Sequence, residues 1–105
     1  MNLETLQASE NPPQEGSVDY SRIHHPTLWK TIDFVCSGFE CKTSDLEALA
    51  MEIYQSLSFD TDTVFQEWQE DGLFGEKTKY LQEVIKGFLH NPTKENIHLI
   101  VKVFE

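Results

Sequence analysis

The sequence predicts an all-α protein, a compact bundle of about five short helices preceded by a flexible N-terminal tail. Three observations carry that expectation. From His25 onward, apolar residues recur at the i, i+3, i+4, i+7 spacing of an amphipathic helix; residues that start or stop helices bound each run; and the connections are short. The chain has 105 residues, 39% of them hydrophobic and 25% charged. At that size a single domain buries roughly 65% of its unfolded surface, enough for a core without disulfide or metal staples.

Residues 1–22 read as the tail, because Asn11, Pro12, Pro13, Gln14, Glu15 and Gly16 suit neither helix nor strand. Residues 23–105 then form the single helical domain. Its first helix begins at Pro26 or Thr27, where the fixed φ and missing N–H of proline do no harm, and stops near Gly38. Leu28, Ile32, Val35 and Cys36, with Trp29 alongside, make its core stripe.

In the second helix Ser44 precedes Glu47 by three residues, the spacing of a capping box, and Leu46, Leu49, Ala50, Ile53 and Leu57 share one face. Asp60 or Thr61 caps a short third helix that buries Val64, Phe65 and Trp68, and Gly72 ends it in the left-handed conformation. The fourth runs from about Glu76 to His90 with Tyr80, Leu81, Val84, Ile85, Phe88 and Leu89 inward. Glu76 with Lys79, and Glu83 with Lys86, are i, i+3 pairs on its outer side.

The last segment fits two periods. As a helix it places Ile97, Ile100, Val101 and Phe104 on one face; as a strand it aligns Ile97, Leu99, Val101 and Val103. A strand needs a partner and no other segment provides one, so the expectation is helix.

Charge is distributed unevenly. Between Thr43 and Gly75 there is no lysine or arginine, and Asp45, Glu47, Glu52, Asp60, Asp62, Glu67, Glu70 and Asp71 give that stretch a net −8 of the chain's formal −10. Such a block repels phosphate and anionic lipid and attracts basic surfaces. Direct nucleic-acid binding is not expected, because the five lysines of the last third are scattered and largely balanced by Glu76, Glu83, Glu95 and Glu105. No apolar run approaches the roughly 20 residues of a membrane span, and the N-terminus lacks the pattern of a secretory signal. With Cys36 and Cys41 as its only cysteines, the chain reads as cytoplasmic with reduced thiols, a local bridge between the two being the alternative.

Chemical motifs are sparse. If Asp60 opened a calcium loop, Phe65 would stand where glycine must turn the chain. The ligand types for zinc exist in Cys36, Cys41, His24, His25, His90 and His98, but not the knuckle spacing, and Cys36 lies on an apolar stripe. A thiol enzyme built on Cys41 would need a histidine and an oxyanion hole that no motif supplies. Neither a cofactor nor an enzyme is therefore expected, and a small Cys/His enzyme or metal protein stands as the last alternative.

Several large apolar residues fall off the core stripes: Phe34, Met51, Tyr54, Leu99 and Val103. Met51 and Tyr54 lie beside Glu47 and Glu52, which suggests a docking face with an apolar centre and acidic rim, continued by Glu67, Glu70 and Asp71. The expected function is a non-catalytic interaction module, an adaptor, regulator or inhibitor of a basic partner such as a nuclease or DNA-binding protein. The competing expectation is a structural domain that forms homo-oligomers through Phe34, Leu99 and Val103.

Overall fold

The computed structural model describes residues 14–105, and among these described residues are six helices: α1 (Val18–His24), α2 (Pro26–Cys36), α3 (Thr43–Ser56), α4 (Thr61–Glu70), α5 (Phe74–His90) and α6 (Lys94–Lys102). The all-α expectation holds, and the ambiguous last segment is helical. Residues 1–13 of the expected tail lie outside the described residues. Its remainder is corrected: the boundary drawn at residue 22 falls inside α1.

The start of α1 is local chemistry. Gly16 adopts φ +84°, and the hydroxyl of Ser17 accepts the Tyr20 N–H at 3.1 Å as a cap. Seven residues are too few to hold a helix in water, so tertiary contacts must hold it. The Trp29 indole N–H donates to the buried Ser21 hydroxyl at 2.6 Å, and Arg22 grips Asp33 through two bonds of 2.6 and 3.0 Å. The same guanidinium lies 5.1 Å from the centre of the Trp29 ring. These contacts staple α1 to α2.

Pro26 opens α2 as expected, and Leu28, Trp29, Ile32 and Val35 are buried. The capping box expected at Ser44 does not form. Lys42 is extended and its carbonyl accepts the N–H groups of Asp45 and Leu46, so α3 starts at Thr43 and Ser44 lies within its first turn. Asp60 caps α4 through the Asp62 N–H at 2.9 Å. At the other end Gly72, with φ +74°, donates to the Gln69 carbonyl while Leu73 donates to the Trp68 carbonyl, the paired bonds of a Schellman motif.

Helix α5 begins two residues earlier than expected and buries a narrower stripe of Leu81, Ile85 and Phe88. Tyr80, expected inward, is 56% exposed. The Thr93 hydroxyl caps α6, which turns Ile97, Ile100 and Val101 into the core.

Packing runs in a circuit. Helix α1 lies against α3, α3 against α6, α6 against α5, α5 against α2 and α2 against α1, while α4 packs onto α2 and α5. Phe104 reaches across to stack on Trp68, ring centres 5.5 Å apart and planes at 15°, with Phe65 edge-on to both.

The Ser21–Trp29 bond gives a test of the staple. Ser21→Ala leaves a buried indole N–H without its acceptor and is expected to destabilise the domain by about 1–3 kcal/mol in urea unfolding. A change below about 0.5 kcal/mol would mean that α1 is held by other contacts.

Candidate functional site

A half-open cleft of about 770 Å³ lies between α1, the end of α3 and the turn leading into α4. Ser21, His25 and Leu57 are its buried residues. Ile23, Tyr54 and Phe59 contribute partly exposed apolar surface, 64%, 40% and 41% accessible, and Glu15, Asp60 and Asp62 add carboxylates. A recess of this volume, with polar and apolar lining in about equal share, is the kind of surface that holds a side chain or small ligand.

A polar pair lies beneath it. His25 Nδ1 is 2.8 Å from the Thr61 hydroxyl oxygen, both residues are buried, and the Leu57 carbonyl lies against the ring. Burial pushes the imidazole below its usual range and neighbouring His24 adds to that, while Asp60 and Asp62 oppose it. The two aspartates are also structural, since Asp62 accepts the Thr27 N–H at 3.3 Å near the start of α2 and Asp60 caps α4. Acids at helix N-termini meet the positive end of the dipole.

The docking residues expected from sequence are brought together only in part. Helices α3 and α4 do not pack on each other, so Glu47, Met51, Glu52 and Tyr54 stand on a different part of the circuit from Glu67, Glu70 and Asp71. Glu52 is turned in: it accepts the Ser56 hydroxyl at 2.9 Å and lies 3.2 Å from His98 Nε2 of α6. Met51 and Tyr54 lie against the chain before α1. A methyl group on Gly16 would come within 2.8 Å of Met51 Cε, and the neighbouring Glu15 carboxylate raises the pKa of the Tyr54 phenol.

Tyr54 is the one member of the expected set that lines the cleft. Glu47, Glu67, Glu70 and Asp71 are exposed, and among the described residues no salt bridge engages them.

Phe34 is 68% exposed and Leu99 44%, as their off-stripe positions imply. Val103 is corrected, because it is half-buried and packs on the core. Ile23, Phe59 and His25 were missed as site residues. The available signal was Ser17 before Val18 and Asp19, a helix start that places Ile23 and His24 in a last turn. Among the described residues no three His, Cys, Asp or Glu side chains converge as a metal site, and no helix is long and apolar enough to cross a membrane.

The buried imidazole makes stability depend on pH. With its folded pKa below the unfolded 6.5, His25 leaves the native state binding fewer protons, so its contribution is complete above about pH 6.5 and is lost as pH falls through the folded value. Thermal melts between about pH 7.5 and 5 should show a steeper loss for the natural chain than for His25→Gln. Equal slopes would mean that His25 does not carry the dependence.

The chain matches no protein-family model, no curated protein and no solved structure.

Proposed function

We propose that this chain is a non-catalytic interaction module, an adaptor, regulator or inhibitor that docks a basic protein partner through the acidic side of α4. The observation that supports the reading most is where Glu67, Glu70 and Asp71 sit. They crowd the C-terminal end of α4, where the helix dipole is already negative and the last turn has no basic residue. Folding derives no benefit from carboxylates there, whereas a cation from another molecule does.

Asp60 and Asp62 extend the negative charge to the other end of the same helix, which at 10 residues is about 15 Å long. The adjoining cleft offers apolar surface to whatever the carboxylates attract. Lysine- and arginine-rich faces of nucleases and DNA-binding proteins are the partner class with complementary charge. Pairing of copies through Phe34 or Leu99 is the second reading, favoured by their exposure. These residues lie on α2 and α6, which do not pack together, so a dimer would use one of them as its centre.

The triple change Glu67→Gln, Glu70→Gln, Asp71→Asn separates a docking role from a merely solvating one. It is expected to raise the melting temperature, since like charges leave a negative helix end, and to weaken capture of a basic partner about tenfold at low salt. Capture by the natural chain should itself fade when salt is raised from roughly 50 to 500 mM. Binding indifferent to both salt and the triple change removes the proposal.

A further inference from the structure

The two cysteines stand apart from the acidic surface and from the cleft. Cys36 is the last residue of α2, and the chain reverses directly after it: Gly38 donates to the Val35 carbonyl at 3.1 Å and Phe39 to the Cys36 carbonyl at 2.9 Å. The reversal brings Cys41 back over the helix end, with its sulfur 3.9 Å from the same Cys36 carbonyl. Both are free and half-buried. Phe39, between them in sequence, is anchored edge-on to His90 with ring centres 4.9 Å apart, which holds the loop in this shape.

We propose that Cys36 and Cys41 are a modification site, a dithiol that a low-molecular-weight disulfide of the glutathione type oxidises to an intramolecular bond. The reaction is two successive thiol–disulfide exchanges. The Cys41 thiolate attacks one sulfur of the oxidant, whose S–S bond breaks and releases one thiolate that takes up a proton. Cys36 then gives its proton to water and attacks the Cys41 sulfur, breaking the mixed disulfide and releasing the second thiol. Two cysteine thiols are oxidised, the oxidant becomes two free thiols, and a ring closes from the end of α2 to the approach to α3.

The order follows from environment. Burial, with the adjoining Cys41 thiol, pushes Cys36 up to about 12. Cys36 is therefore the poor first nucleophile and the resolving group, and ring closure is limited by its thiolate fraction.

The experiment uses the full chain, reduced and then exposed to glutathione disulfide, quenched in acid, alkylated and weighed intact. The expected end product is monomeric, two hydrogens lighter than the reduced chain, without glutathione and without alkylation. Its formation from the mixed disulfide should quicken about tenfold per pH unit between about pH 7 and 9. Cys36→Ser should trap a lasting glutathione adduct on Cys41, and Cys41→Ser should react at least about tenfold more slowly than Cys36→Ser. A natural chain that keeps its glutathione adduct, links to a second copy or stays reduced overturns the proposal. So do two single variants that react at equal rates.

Discussion

The hydrogen bond between His25 and Thr61 is the constraint on which the arrangement around the cleft depends. It joins residues 36 positions apart, at the start of α2 and the start of α4, and both are withdrawn from solvent. Each satisfies a polar group that the other would otherwise leave orphaned in the interior, so the two helix starts are fixed relative to each other. Leu57, at the end of α3, closes over the same spot. Three helix termini therefore meet at one buried polar pair, and the recess with its acidic margin is the outer surface of that junction.

The fold divides the acidic block by task. Asp60 and Asp62 serve helix starts, Glu52 answers Ser56 and His98, and on α2, beyond the block, Asp33 holds Arg22. Asp45 is half-buried in the first turn of α3, and what is left exposed and without a salt bridge among the described residues is Glu47 on α3 and the trio at the end of α4. Net charge alone overstates the surface a partner would meet, since carboxylates that cap or pair are already partly compensated. The trio differs in kind, because its place at a helix C-terminus sets it against the field of its own backbone.

Apolar residues divide in the same way. Met51 and Tyr54, left over once the stripe of α3 is assigned, support the segment before α1, and Val103 rests on the core. Phe34 stays open to solvent because α2 spends its other faces on α1, α4 and α5. Off-stripe position predicts exposure only where no further element comes to cover it.

Helix type, most helix limits and the core were legible in the sequence because they rest on neighbours within four residues. Pro26 at a first turn, Asp60 as a cap, Gly72 as a left-handed stop and the Leu28–Ile32–Val35 stripe are local physics. The short α1 was legible only in its Ser17 cap, since its buried face is Ser21, a polar residue satisfied by an indole eight positions on, and its apolar Ile23 points outward. The capping box at Ser44 failed because the chain was already helical one residue earlier. Which carboxylates share a side, and that a cleft exists at all, were decided only by tertiary packing: α3 and α4 follow each other in sequence yet settle against different partners, and no local spacing encodes that choice.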